Sequence, residues 1–90
     1  MLIFKCVLLY NELTALQKYL PPHEFCIITR PGENVFYGVM NEELHSKFMD
    51  NLSGETLEQL EYLDEKELRN SIQFEDPEII GNEELLKRYL

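Results

Sequence analysis

Apolar residues in the first part of the chain occur in short alternating runs, which are typical of β-strands. Residues 1–10 are apolar on both faces of the predicted strand apart from Lys5, and this pattern favours a central strand covered on both sides. Lys5 is expected to reach a sheet edge or an acidic partner. Asn11 is then predicted to cap a helix that ends at Pro21 and Pro22. Its apolar stripe consists of Leu13, Leu16, Tyr19 and Leu20.

The next two apolar runs, residues 24–30 and 35–40, predict a β-hairpin. Between them stands the turn signature Pro31-Gly32-Glu33-Asn34, in which proline presets φ and glycine supplies a positive φ. A connection this short makes the two strands antiparallel neighbours. Beside the turn lie Arg30, Phe36 and Tyr37. They form a candidate interaction surface, because aromatic residues and arginine are enriched at interface hot spots, although sheet packing also accounts for the aromatic pair.

Helical spacing takes over after Asn41, which is expected to cap a helix with Glu42 and Glu43 in its first turn. The apolar stripe of this helix consists of Leu44, Phe48, Met49 and Leu52. Ser53 is expected to cap a second helix over residues 54–66. That helix carries Leu57, Leu60 and Leu63.

Further helix starts follow in the last third of the chain. Asp64 and Glu67 have capping-box spacing, which predicts a restart with Leu68 and Ile72 facing inward. The pair Asp76-Pro77 predicts another start, since a cap precedes a proline at the first helical position. The pair Gly81-Asn82 begins the last predicted helix. That helix turns Leu85, Leu86, Tyr89 and Leu90 inward.

These elements predict a single α+β domain over residues 1–90. We expect a small three-stranded mixed sheet in β-α-β-β order, followed by an acidic, mainly helical C-terminal half. If residues 71–74 form a fourth strand instead, the order becomes β-α-β-β-α-β, the ferredoxin-like order, with a helical tail. The three-stranded version is favoured, because the signal for the fourth strand is very short.

Charge is distributed unevenly along the chain. Residues 1–40 contain equal numbers of acidic and basic residues, so the whole net charge of −9 lies in residues 41–90. Direct binding to nucleic acid or to an anionic membrane is disfavoured, because phosphates repel such a surface. A basic protein is the favoured partner, for example a nucleic-acid-binding one, although solubility alone also explains Glu-rich helices.

The cysteine content and the absence of a targeting segment predict a cytoplasmic protein with reduced thiols. The apolar run at the start is far shorter than the about 20 residues that a membrane span needs. Cys6 and Cys26 would face each other if the first two strands were neighbours. Two buried free thiols are the favoured interpretation, since free cysteine behaves as a small apolar residue.

Motifs for catalysis, cofactors and metals are absent from the sequence. None of the patterns GxSxG, GxxxxGK[ST] and GxGxxG occurs. The histidines, His23 and His45, do not combine with the cysteines at a zinc-site spacing. His45 lies off the apolar stripe and is predicted to be a solvated helix residue. We therefore predict a protein that is not an enzyme and has no catalytic residue, cofactor or metal.

The acidic second half supplies the candidate binding residues. If residues 54–66 form one helix, their glutamates lie on a single stripe about 15 Å long. Such a stripe imitates a phosphate backbone or covers the basic cleft of a nuclease toxin, whereas an ordinary solvated face is the simpler interpretation. The predicted partner-binding residues are Glu55, Glu58, Glu61, Glu65, Glu75, Asp76, Glu78, Glu83 and Glu84.

The sequence therefore favours a small acidic interaction protein that binds and inhibits or modulates a basic macromolecular partner. Inhibitors, immunity proteins, antitoxins and nucleic-acid mimics, including small proteins of bacteria and phages, share this physical profile. The alternative is a structural or regulatory subunit of an oligomer, for example a homodimer joined through an exposed strand edge. A small-molecule binder is the third hypothesis, and it requires a pocket with converging polar groups.

Overall fold

Strands from both halves of the chain build one sheet in the computed structural model, which describes residues 1–30, 33–73 and 75–89. In chain order the elements are β1 (Leu2–Val7), α1 (Tyr10–Tyr19), β2 (Phe25–Thr29), β3 (Val35–Met40), α2 (Glu42–Met49), α3 (Gly54–Glu58), β4 (Glu61–Tyr62), α4 (Glu65–Ser71), β5 (Glu78–Gly81) and α5 (Glu83–Lys87). The strand order is β4-β1-β3-β2-β5, and each neighbouring pair is antiparallel. The α+β class is therefore confirmed.

The sheet differs from the predicted one in size and in strand direction. It has five strands over the described residues rather than three or four, and it is antiparallel rather than mixed. The reason is that β3 lies between β1 and β2 and pairs with both, so the two strands joined by α1 run parallel without touching. The predicted β2–β3 hairpin is confirmed, while Pro31 and Gly32 of its turn lie outside the described residues.

The half predicted to be mainly helical supplies both outer strands. The predicted helix over residues 54–66 ends at Glu58, and β4 then pairs with β1. Asp76-Pro77 starts no helix, because β5 follows and pairs with β2 along four residues. Ser71 belongs to α4 rather than to a fourth strand, and Phe74 lies outside the described residues. Pairing with β1 and β2 satisfies backbone groups at the edges of the sheet, which overrides short-range helical spacing.

The helix caps of the second half agree with the sequence. Asn41, Ser53, Asp64 and Asn82 each accept a backbone N–H with the side chain, at 2.8, 3.3, 2.8 and 3.1 Å respectively. The capping box of α4 is complete, since the Glu67 carboxylate accepts the Asp64 N–H at 3.2 Å. Caps depend on residues close in sequence, so spacing alone predicts them.

Side-chain alternation divides the core into two clusters, one on each face of the sheet. The first face packs against α1 and α2 and contains Phe4, Cys6, Leu8, Leu16, Leu20, Phe25, Ile27, Phe36, Met40, Leu44 and Phe48. The second face packs against α4 and α5 and contains Ile3, Cys26, Ile28, Val39, Leu68, Ile72, Leu85, Leu86 and Tyr89. The expectation that β1 is covered on both sides is thus confirmed.

Two glycines are required by this packing. The phenyl ring of Phe4 occupies the space that a Cβ at Gly38 would need, so β3 passes directly under the ring on the first face. Gly81 has a φ of +94°, a conformation that favours glycine, and a Cβ there would meet the Phe25 carbonyl. Gly81 thereby lets β5 turn directly into α5.

Candidate functional site

The predicted partner-binding acids are all exposed, but they do not form one stripe. Glu55 and Glu58 lie on α3, Glu61 on β4 and Glu65 at the start of α4. The prediction of a single helical stripe is therefore wrong, because β4 interrupts the helix. Glu75 and Asp76 precede β5, Glu78 begins it, and Glu83 and Glu84 open α5.

The fold instead gathers acidic residues at one end of the sheet. Leu2 is opposite Met40, Met40 is opposite Phe25, and the end of β5 lies beside the start of β2. The Leu63 N–H also donates to the Ile3 carbonyl at 2.9 Å, so α4 begins at this end too. The starts of α2, α4 and α5 therefore all lie at this end of the sheet. We call this region the acidic end, and its acids are Glu24, Glu42, Glu43, Asp64, Glu65, Glu67, Glu83 and Glu84.

Few bases offset these acids. Lys47, Lys66 and Lys87 are the lysines on the three helices that start at the acidic end. Lys87 pairs with Glu84 at 3.1 Å. The other ion pairs of the described residues are Arg30–Glu33 at 3.0 Å and Lys5–Glu61 at 4.0 Å. Glu61 is thus the acidic partner expected for Lys5. Negative charge at the acidic end is thus largely left to the solvent or to a partner.

A groove with an apolar floor opens at the acidic end, between the start of β1, β4 and the start of α4. We call it the Tyr62 groove, and its apolar lining is Met1, Leu2, Ile3, Tyr62, Leu63 and Tyr89. Asp64 and Glu65 line it as well, and its volume is about 340 Å³. Ile3 and Tyr89 belong to the second-face core, whereas Met1 and Tyr62 are 51% and 57% exposed. Apolar surface of the core therefore continues into a groove with carboxylates beside it.

His45 is buried on the first face, so the prediction of a solvated residue is wrong. Its ring meets Phe4 edge-on at 5.3 Å between centroids, and Tyr62 of β4 lies at 5.4 Å. The Tyr62 hydroxyl lies 3.2 Å from His45 Nε2, within hydrogen-bond distance. Burial lowers the pKa of His45, because the charged imidazolium is poorly solvated there. No sequence signal marked this residue, since β4, which supplies its polar partner, was predicted as helix.

Glu12 is a buried carboxylate that sequence reasoning missed. It accepts the Leu9 N–H at 3.0 Å, the Ser53 N–H at 2.7 Å and the Thr56 hydroxyl at 2.6 Å. Burial raises the pKa of the Glu12 carboxyl, but hydrogen bonds from Thr56, Leu9 and Ser53 outweigh that effect and hold it below its ordinary value. Glu12 joins the start of α1 to α3, so its role is structural. Helix α1 begins at Tyr10 with Leu9 as its N-cap, so the prediction that Asn11 caps this helix is wrong and Glu12 is its third residue.

Cys6 and Cys26 are free and lie on opposite faces of the sheet. The strand β3 lies between their strands, and they are opposite Phe36 and Val39 of it, so their Cα atoms are farther apart than two interstrand spacings, which are about 9–10 Å. A disulfide needs Cα atoms about 4.4–6.8 Å apart, so the two residues cannot pair in this fold. Burial raises the pKa of the Cys6 thiol to about 12 and that of the Cys26 thiol to about 11, which keeps both thiols protonated and unreactive.

The predicted hairpin surface gains little from the structure. Phe36 is buried in the first-face core, so it is not available at the surface. Tyr37 is partly buried against the second face, and Arg30 beside it is exposed. Among the described residues no three His, Cys, Asp or Glu side chains are grouped so that they could hold a metal ion.

Comparisons with protein-family models, with curated proteins and with solved structures returned no match to this chain. No helix within the described residues is both long and apolar enough to cross a membrane.

Proposed function

We propose that this chain is an interaction protein that binds a basic macromolecular partner, such as a nucleic-acid-binding protein, and blocks or modulates it. The observation that carries the proposal is the position of eight acids at one end of the sheet, seven of them at the starts of α2, α4 and α5 and the eighth, Glu24, just before β2. Potentials from such a one-sided distribution attract a basic surface and speed its association.

Local helix energetics explain part of this pattern. Acids in the first turn of a helix interact favourably with its dipole, typically by about 0.3–1 kcal/mol each. That effect accounts for acids at each helix start, yet it does not require the three starts to share one end. Because the three starts share one end, their acids produce a stronger negative potential there than the stabilisation of any single helix requires. This supports a role of the acids in recognising a partner, in addition to solubility.

The homodimer alternative is less favoured by charge. An edge-to-edge dimer through β5 would bring two acidic edges together, since Glu75, Asp76 and Glu78 precede or begin this strand and Glu83 and Glu84 follow it. Like charges placed together oppose such pairing. At the other edge, β4 has only two residues, and short edge strands are one way in which proteins discourage self-association.

Two variants with the same change in charge test the proposal. One replaces Glu42, Glu43, Glu65 and Glu83 at the acidic end by glutamine. The matched control replaces Glu55, Glu58, Glu75 and Glu78 by glutamine, and all eight side chains are exposed. Proteins retained from a lysate by immobilised chain are eluted with rising salt and identified by mass spectrometry.

We expect the unmodified chain and the control variant to retain a basic protein that elutes at moderate salt, and the acidic-end variant to release it at lower salt. Circular dichroism checks that both variants stay folded. If the two variants lose the protein equally, net charge rather than the acidic end governs binding. If no basic protein is retained by the unmodified chain, the proposal fails and the acidity serves solubility.

A further inference from the structure

The Tyr62 groove exposes apolar surface that the fold itself leaves uncovered. Its floor includes Ile3 and Tyr89, which are only 7% and 9% exposed, so a bound side chain there would extend the second-face core. Tyr62 and Met1 are more than half exposed. Buried aromatic and apolar anchors supply most of the energy of protein interfaces, and they fill pockets of this kind.

The charges beside the groove select the kind of side chain that would approach it. Asp64 and Glu65 line it, and no lysine or arginine among the described residues does. Leu2 is shared with a neighbouring depression on the α2 side, which Glu42, Glu43, His45 and Ser46 line. The acids at the groove itself are therefore those that begin α4, and a bound segment would have to approach past their negative charge.

We propose that the Tyr62 groove binds one apolar side chain of the basic partner, flanked in the partner's sequence by lysine or arginine. The flanking cations would pair with Asp64 and Glu65 while the apolar side chain contacts Ile3, Leu63 and Tyr89. Charge complementarity excludes a second copy of this chain as the occupant, because its acids would meet these carboxylates. The inference rests on the proposed function and names the site and the sequence chemistry of the partner.

Nuclear magnetic resonance titration with two defined peptides tests it. Both peptides consist of lysine and arginine, and they differ only at the centre, where one has leucine and the other serine. At low salt we expect both to shift the amide resonances of the acidic end. Only the leucine peptide should shift those of Ile3, Leu63 and Tyr89, and it should bind about tenfold more tightly, since an anchoring side chain contributes more than about 1 kcal/mol.

Variants at Leu63 and Tyr62 test the contact. Leu63→Ala should reduce the affinity for the leucine peptide to that for the serine peptide, because Leu63 packs on the second face with Ile3 and Tyr89. Tyr62→Ala is the control, since pairing with Phe4 and contact with His45 place the Tyr62 ring on the first face, and it should leave the affinity for the leucine peptide unchanged. Circular dichroism checks that both variants stay folded. Glu65→Gln should weaken both peptides, whereas Glu58→Gln, also exposed but on α3, should change neither.

The outcomes distinguish this inference from the proposed function. If both peptides shift the same resonances with equal affinity, the groove is not an apolar site, while the acidic end still binds cations. If Leu63→Ala stays folded and binds the leucine peptide unchanged, the groove inference is likewise overturned. If neither peptide produces shifts at low salt, the groove inference and the basic-partner proposal fail together.

Discussion

The first face of the sheet buries polar side chains among its apolar ones, whereas the second face is closed by aliphatic residues, Cys26 and Tyr89. Glu12, Thr29, His45 and Thr56, the buried polar residues of the described chain, all lie on the first face or on helices packed against it. On the second face, beneath α4 and α5, the buried residues that the structure describes are all hydrophobic ones. Both faces exclude water, but different interactions hold them.

This difference shows where pH and mutation act on the fold. Polar contacts on the first face connect segments far apart in sequence, as Glu12 does with Ser53 and Thr56. Such contacts depend on protonation and on geometry, since an unpaired buried donor is costly. Apolar contacts on the second face depend on how completely the side chains fill the space between the sheet and the helices, so truncating one of them leaves a cavity.

The largest effect is expected from a cavity in the second face. Leu68→Ala removes a side chain that is 0% exposed, which should lower the free energy of unfolding by about 2–5 kcal/mol. Urea unfolding followed by circular dichroism measures it. The control is Leu57→Ala on α3, a leucine that is 36% exposed, for which a change within about 0.5 kcal/mol is expected. Equal losses at both positions would contradict the account of the second face.

A smaller loss is expected from Glu12→Gln on the first face. The amide keeps the size of the side chain but places its own N–H groups among donors, so one buried donor loses its acceptor. The cost should be about 1–3 kcal/mol. Glu24→Gln, an exposed change of the same kind, is the control and should be near neutral. An unchanged unfolding curve for Glu12→Gln would show that Ser53 and Thr56 do not rely on the carboxylate.

Glu12 should also contribute to acid sensitivity. Its folded pKa is lowered, so the stabilisation is complete above the unfolded pKa of about 4.3 and is lost as the pH falls through the folded pKa. Urea midpoints measured from neutral to acidic pH should therefore fall less steeply in Glu12→Gln than in the unmodified chain. Parallel curves for the two proteins would remove Glu12 as a source of this dependence.

His45 should also make the free energy of unfolding fall as the pH falls, but in a higher pH range than Glu12 does. Its folded pKa is lowered, so as the pH falls below the unfolded value of about 6.5 the unfolded chain takes up the proton first and stability declines. His45→Gln should flatten the decline between about pH 7 and pH 5, which unfolding curves at several pH values measure. His23→Gln, at an exposed position, should leave the decline in place. Flattening in both variants would point to a different titrating group.

The smallest effect is expected at the edge formed by β4. Lys5 and Glu61 pair at 4.0 Å with side chains 41% and 66% exposed, and exposed pairs typically contribute about 0–1 kcal/mol. Glu61→Gln should therefore lower the free energy of unfolding by less than about 1 kcal/mol, and added salt should reduce the difference further. A larger loss would mean that the ion pair, rather than backbone pairing with β1, holds β4 in place.

Most of the local structure could be predicted from the sequence. Alternation located β1, β2 and β3, and the caps at Asn41, Ser53, Asp64 and Asn82 began their helices as expected. These features depend on neighbours within a few residues. The outer strands could not be predicted in this way, because β4 has two residues and β5 four, too few to show a period.

The candidate site divides along the same line. The sequence by itself determined that the second half is acidic and that acids stand at several helix starts. It did not determine that α2, α4 and α5 start at one end, since that follows from the register of β1, β3, β2 and β5. Only the tertiary structure put Tyr62 beside Phe4 and buried His45 and Glu12. Such contacts are decided by pairing between strands that are far apart in sequence, and no local pattern of residues shows which strand will pair with an edge of the sheet.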